Sequence, residues 1–364
     1  MIKMPSEEKK QYRQAVPEDF PPQIPIGNTL FEKLRSLKYG ENPGMPAALY
    51  KEVGSAGPGI AGYEILQENP DKKLGFINIL DLNASLKLVK RIKKLFPDYI
   101  ASSVSKHVGP SGTARADNVF KAYNEAWDTD ALSAFGGIIA FSDELDEETA
   151  NLMITRFFEC VIAPGYTDKA LDALRKKKDV RVVRVPSLDT ELVDSKYQYI
   201  KLEGGLLVQK RYESQINSAN NFRVVSQRQP TADELQAALF NWAVVGHVPS
   251  NAIVLGTPYK TVGIGGGQKS RIDSTRLAIY YANTRCKDGS SRGTIMASDA
   301  FFPFRDSADL AGISGVTCIV FPLGSDKDKD TIQAGNEYGM SLLVPMPNPD
   351  KPEIIERAFV HLSH

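Results

Sequence analysis

The sequence predicts an α/β chain of two units, on three observations. Short β-branched runs alternate with segments whose apolar residues recur at helical spacing. Capping and Pro/Gly turn signals separate the two kinds of segment. The length of 364 residues suits about two domains, each with room for a buried core.

In chain order, residues 1–30 are polar, with Glu7-Glu8-Lys9-Lys10 and then Pro17, Pro21, Pro22 and Pro25, which reads as an extended arm. The first unit is expected over residues 31–200. Within it Leu86, Val89, Ile92 and Leu95 recur at helical spacing and predict a helix over 83–96 with a basic outer face. Val161-Ile162-Ala163 reads as a buried strand stopped by Pro164-Gly165. Thr167 then opens a helix to Lys177, and a strand follows over 179–185. The second unit is expected over 201–364. Thr231 and Glu234 form a capping box ahead of Leu235, Leu239 and Val244. Strands at 252–255 and 261–264, a helix at 274–283, a strand at 316–321, a helix at 327–338 and a strand at 341–344 complete the alternation. No strong internal sequence repeat is visible.

Hydrophobic residues make up 42% and charged residues 24%, as in ordinary globular proteins. The net charge is zero, so there is no electrostatic case for nucleic acid or an anionic membrane, and local basic groups must hold any phosphate. No apolar run reaches the length of a membrane span and no apolar signal segment opens the chain, so a cytoplasmic protein is expected. Cys160, Cys286 and Cys318 sit in or near apolar runs and read as buried free thiols.

Three stretches carry chemistry. Lys106-His107-Val108-Gly109-Pro110-Ser111-Gly112 places two proton-carrying side chains together and reads as ending in a Pro/Gly turn. On spacing alone, a satisfied core histidine fits His107 equally well. Ser298-Asp299-Ala300-Phe301-Phe302-Pro303-Phe304-Arg305-Asp306 sets three Phe around a Pro between charges, which suits either a flat apolar slot with a polar rim or a piece of core. Gly263-Ile264-Gly265-Gly266-Gly267 fits neither a P-loop nor a dinucleotide fingerprint, and reads as backbone that approaches a ligand closely.

These stretches are joined by Leu37-Lys38-Tyr39-Gly40-Glu41-Asn42-Pro43, Ser133-Ala134-Phe135-Gly136-Gly137-Ile138-Ile139-Ala140 and Ser250-Asn251-Ala252-Ile253-Val254. The last runs on to Gln268-Lys269-Ser270-Arg271. Together, and in this order, they resemble the formyltransferase half of the bifunctional purine-biosynthesis enzyme, AICAR formyltransferase, over about residues 31–364. The resemblance implies a pair of related cytidine-deaminase-like α/β subdomains. The zinc deaminases' His-x-Glu and Pro-Cys-x-x-Cys are missing, so no zinc site is expected. It also implies a cytoplasmic homodimer with sites at the interface, and leaves a bound alkali cation open. In bifunctional members a cyclohydrolase domain comes first. Here only the arm stands ahead, so formyl transfer without ring closure to IMP is expected.

The implied reaction moves a formyl group from 10-formyltetrahydrofolate, a co-substrate, to the 5-amine of AICAR. His107 would be the base, Lys106 would hold the oxyanion and feed a proton to the leaving nitrogen, and Asn251 would bond near the formyl oxygen. AICAR would be bound by Lys38, Tyr39, Asn78, Asp81, Phe135, Gly136, Glu159, Arg271 and Arg357. Capping is the competing reading for Asn78 and Asp81, and a solvated helix charge for Arg357, in Arg357-Ala358-Phe359-Val360-His361. Folate would lie on Phe301, Phe302, Pro303 and Phe304, with Asp306 on the pterin edge. Arg305 serves that rim or a structural ion pair; His247 matches no catalytic position and reads as structural.

The chain departs from the family in three places. Lys38 stands where Arg is usual and lacks its bidentate fork. Gly44-Met45 replaces a His-Gln whose His lies beside the carboxamide, and Gly109 replaces Asn or Ser. These departures keep two alternatives open. One is a paralogue that formylates a related aminoimidazole ribotide; the other is a non-catalytic folate- or nucleotide-binding protein. Retention of Lys106, His107 and Asn251 speaks against the latter.

Overall fold

A computed structural model describes residues 15–54, 59–185, 197–351 and 353–359. Glu7-Glu8-Lys9-Lys10, Val360 and His361 lie outside the described residues. The chain is mixed α/β, with two sheets of six strands and two smaller sheets. It forms two compact units that interleave along the sequence: residues up to 86 with 136–211, and residues 87–135 with those from 212 onward.

In the first unit, Gln23–Ile26, Thr29–Ser36 and Ala48–Glu52 form a three-stranded antiparallel sheet. Residues 23–26, expected in the arm, are therefore its edge strand. Pro25 fits there because an edge strand can do without one ladder N–H. Tyr197–Leu202 and Gly205–Lys210 make a separate hairpin. Ile138–Phe141, Cys160–Ala163 and Arg181–Arg184 are parallel neighbours. Glu64–Gln67 runs antiparallel to the last of them. Cys160-Val161-Ile162-Ala163 is wholly buried, as its unbroken apolar run requires. The helix after it is Asp168–Arg175, with Thr167 accepting from Ala170 N–H at 3.2 Å.

Helix Phe76–Leu95 begins well before residue 83, because Phe76, Ile79 and Leu82 continue the apolar spacing of Leu86, Val89 and Ile92. Asn78 and Asp81 thus lie inside its first turns.

The second unit carries the hairpins Ile100–Lys106/Gly109–Ala116 and Ile253–Gly256/Thr261–Gly265. Behind them come helices Val119–Thr129 and Arg271–Thr284. Helix Ala232–Val245 starts at the expected box: Thr231 accepts from Glu234 N–H at 3.2 Å, and Glu234 accepts from Thr231 N–H at 2.9 Å. Parallel strands Ile295–Ser298, Cys318–Val320 and Ser341–Pro345 follow, the last antiparallel to Phe222–Val224.

Three consecutive parallel strands closed by an earlier antiparallel edge strand therefore occur in each unit. No sequence repeat announces this, because the shared plan needs matching patterns of burial rather than matching residues. All three cysteines are free and buried, as expected. No helix among the described residues is long and apolar enough to cross a membrane.

Candidate functional site

The Lys106–His107 pair sits at a hairpin tip. Lys106 pairs with Gly109, and His107 and Val108 make the turn with φ of 53° and 65°. Two successive left-handed residues match the right-handed twist of the flanking strands. The Pro/Gly turn expected after the pair is thus displaced: Gly109-Pro110-Ser111-Gly112 belongs to the returning strand. Val108 is β-branched, and such residues take positive φ only at local cost. Lys106 and His107 are both exposed, which removes the core-histidine reading. Lys106 Nζ donates to Phe135 O at 3.1 Å, and Phe135 is 59% exposed.

Gly109 opens the returning strand just after the tip. A Cβ there would stand 3.2 Å from Pro249 Cδ, so the bare glycine lets the loop at Pro249–Asn251 lie close beside the tip. Both amide N–H groups of Asn251 are engaged within that loop. Its Nδ2 donates to Gln268 O at 3.0 Å and Lys269 O at 3.3 Å, and its Oδ1 accepts from Arg271 at 2.9 Å. Arg271 is only 7% exposed and opens the helix rather than reaching out to a ligand. Its guanidinium pairs with Asp299 and donates to Ser298 Oγ at 3.1 Å. Asp299, wholly buried, also accepts from Ser250 Oγ and, at 3.1 Å, from Ala252 N–H. Asn251 and Arg271 thus hold the loop's shape. Two of the glycines, Gly263 and Gly265, do not expose backbone to a ligand, whereas Gly267 is exposed. A Cβ on Gly263 or Gly265 would collide with Ala278 O or Ser274 O of the following helix, so they permit close helix–strand packing.

The Phe-rich block divides. Phe302 is wholly buried, with its ring centroid 5.1 Å from that of Phe321, and belongs to the core of the second sheet. It cannot line a slot, which corrects the expectation for that residue. Phe301 is half-buried, while Pro303 and Phe304 are exposed, Phe304 at 63%. Asp306, exposed, opens helix Asp306–Ile313 and accepts from Ser307 N–H at 2.7 Å. Arg305 takes the structural option, paired with both Asp309 and Glu337. Arg357 is exposed and donates to Leu323 O at 3.4 Å, lying over Gly324; the Phe301 ring flanks the same glycine. Asp299, Phe301 and Gly324 follow the carboxyl ends of parallel strands, where open α/β sheets bind ligands.

In the first unit, Asn78 does two things. Its Oδ1 accepts from Gly75 N–H at 3.1 Å, the capping option, and its Nδ2 donates to Glu159 at 3.0 Å. Arg181 joins them, 3.5 Å from the Glu159 carboxylate. Asp81 is buried, at 4% exposure. Lys38, half-buried, donates to Asp71 O at 3.1 Å and lies 5.6 Å from the Tyr39 ring centroid. Gly136 takes φ 77° and donates to Phe157 O at 2.9 Å.

A family model described as the AICARFT/IMPCHase bienzyme matches residues 6–281, more than half of the chain. The chain belongs to the AICARFT/IMPCHase bienzyme family. Among its relatives are proteins called bifunctional purine biosynthesis protein PurH. That of Acetivibrio thermocellus is 37% identical over 335 residues, covering 92% of this chain and 62% of the relative. That of Ruminiclostridium cellulolyticum is 39% identical over 325 residues, 89% of this chain and 60% of the relative. That of a Nostoc species is 41% identical over 312 residues, 86% of this chain and 58% of the relative. The chain therefore spans roughly three fifths of the length of these relatives.

In this AICARFT/IMPCHase family member, sequence reasoning missed two residues that pair with candidate site residues. Asp299 was in view, inside the Phe-rich block, but a lone Asp before an apolar run gives no sign that three separate donors converge on it. Arg181 sits at the start of a strand, and its partner Glu159 is distant in sequence. His247, expected to be structural, is half-buried. Burial, reinforced by the Lys87 and Arg91 cations, pushes its imidazole down to about 4.

Proposed function

We propose that the chain transfers the formyl group of 10-formyltetrahydrofolate to the 5-amino group of AICAR. One observation carries this reading: an exposed Lys106–His107 tip packed beside the loop at Pro249–Asn251. The AICAR amine is a weak nucleophile, because its lone pair delocalises into an imidazole bearing a carboxamide. His107 takes its proton as the new N–C bond forms, and the Lys106 ammonium faces the oxyanion that develops on the formyl oxygen. When the bond to the folate nitrogen breaks, that nitrogen accepts a proton, which Lys106 is placed to supply. With its amide engaged by Gln268 O, Lys269 O and Arg271, Asn251 supports the site by fixing the loop.

Exposed Arg357 is the proposed phosphate ligand of the second unit. Phe301, Pro303 and Phe304 are the proposed folate walls, and Asp306 the pterin-reading carboxylate. Asn78, Glu159, Lys38 and Tyr39 are the first unit's proposed nucleotide contacts. The same reading takes the protein as a cytoplasmic homodimer of cytidine-deaminase-like subdomains. The matching strand order of the two units supports the last point.

A spectrophotometric assay of tetrahydrofolate formation with AICAR as acceptor tests the proposal. Turnover with AICAR supports it. Turnover only with another aminoimidazole ribotide would show a paralogue, and calorimetric binding of both ligands without turnover would show a binding protein.

A further inference from the structure

At the end of the first hairpin remote from its Lys106–His107 tip, the second unit holds a buried cation without an anion. Arg115 lies on the returning strand, and its N–H donates to Tyr259 O at 2.8 Å. The residue is 4% exposed. Its guanidinium stands 3.5 Å from the Phe96 ring centroid, 4.6 Å from that of Tyr99 and 5.5 Å from that of Tyr259. Nε donates to Pro258 O at 2.7 Å. The terminal nitrogens bond to no protein atom among the described residues.

A cavity of about 290 Å³ opens at this guanidinium, walled by Phe96, Tyr99, Pro258, Tyr259 and Gln236. Asp98 and Asp233 also border it but form no ion pair with Arg115. Burial alone draws the guanidinium down to about 10, and only the Tyr99 and Tyr259 hydroxyls oppose that. Stacked rings offset part of the cost of an unpaired buried cation. They leave the two terminal nitrogens, the fork that matches a carboxylate, directed at open space.

We propose that this cavity binds a small, flat, carboxylate-bearing aromatic molecule. The carboxylate takes the terminal nitrogens of Arg115, and the ring lies against Tyr259, which is half open to solvent at 53%. The size lies at the small end of the ligand-pocket range, about 300 Å³ and upward. A compact tetrahedral anion would satisfy the cation but leave the aromatic and proline walls wet, so a planar ligand fits the whole lining better.

Isothermal titration of the full chain with benzoate, and separately with inorganic phosphate, tests this. Benzoate should bind, and more tightly than phosphate. Arg115→Met should weaken benzoate by about tenfold or more, the loss of a charge-assisted pair. Tyr259→Ala should weaken it about two- to tenfold, the loss of a stacking wall. Being half exposed, Tyr259 keeps the test open if Arg115→Met does not fold. Arg357→Ala should bind benzoate as the wild type does. The proposal is overturned if benzoate gives no heat, if both cavity variants bind it unchanged, if phosphate binds more tightly in an Arg115-dependent manner, or if Arg357→Ala abolishes binding.

Discussion

The two hairpins of the second unit share a plan and differ at their tips. They lie side by side, bridged at Ala114 and Lys260, with Thr113 N–H donating to Thr261 Oγ1 at 2.9 Å. Each backs onto a helix through glycine. A Cβ on Gly112 would collide with Ala126 O, and one on Gly265 with Ser274 O. Ile100–Lys106/Gly109–Ala116 turns through two residues, and Lys106 and His107 are exposed at its tip. The other hairpin turns through Thr257, Pro258, Tyr259 and Lys260, a loop wide enough for Tyr259 to lie near Arg115. A tight tip presents polar side chains to solvent; a wider one can build an apolar wall. Turn length therefore decides which side chains each otherwise similar hairpin presents.

The sharpest way to break that comparison is to exchange the fate of the tips. His107→Ala should lower turnover by about two to four orders of magnitude, the span of general acid–base groups, and leave nucleotide affinity little changed. Tyr259→Ala, at the other tip, should change turnover by less than about twofold, since it touches no reacting group. A His107→Ala enzyme above about a tenth of wild-type turnover would place the base elsewhere.

The next effect concerns what holds the second hairpin's base against the first hairpin's tip. Asp299→Ala leaves Arg271 buried without its carboxylate and should cost about 3–5 kcal/mol in urea unfolding. A loss below about 1 kcal/mol would mean the network is not the anchor. Within the neighbouring block, Phe302→Ala should cost about 3–5 kcal/mol, as emptied core positions do. Phe304→Ala should cost less than about 0.5 kcal/mol of stability and weaken only the folate. Asp306→Ala should lower folate affinity about ten- to a hundredfold through one charge-assisted bond, leaving AICAR binding near wild type.

The Phe pair shows where the sequence was legible and where it stopped. Three Phe in a run are alike as letters; only the register of a chain leaving strand Ile295–Ser298 decides that Phe302 turns inward and Phe304 outward. Elements with strong local signals were readable, such as the Thr231–Glu234 box and the buried run at Val161. The first hairpin was not. Its turn residues, His107 and Val108, both take positive φ, which a β-branched residue such as Val108 rarely does, whereas Gly109-Pro110 nearby looks like a better turn. The Lys106–His107 pair was visible because it is contiguous. Asp299 with Arg271, and Arg181 with Glu159, were hidden because each pair is assembled from separated segments.

A last comparison sets one side chain in two settings. His107 is exposed at one hairpin's tip, while His247 lies just ahead of the other hairpin, with burial and the Lys87 and Arg91 cations holding its imidazole at about 4 instead of 6.5. Its native pKa is depressed, so the unfolded chain takes up the proton first as pH falls. Stability is unaffected above about pH 6.5, declines between there and about pH 4, and loses nothing further from this group below that. The full shift would exceed about 3 kcal/mol; because the residue keeps some solvent contact, about 1–2 kcal/mol is expected. Carboxylates such as Glu234, held low by Arg228, lose stability over an overlapping acid range, so the wild-type slope alone does not isolate the histidine. Urea midpoints at pH 7 and pH 4.5 for wild type and His247→Gln do, because the carboxylates are common to both. The variant should lose less on acidification by that amount. Equal losses in the two proteins would show that His247 takes up its proton as readily folded as unfolded.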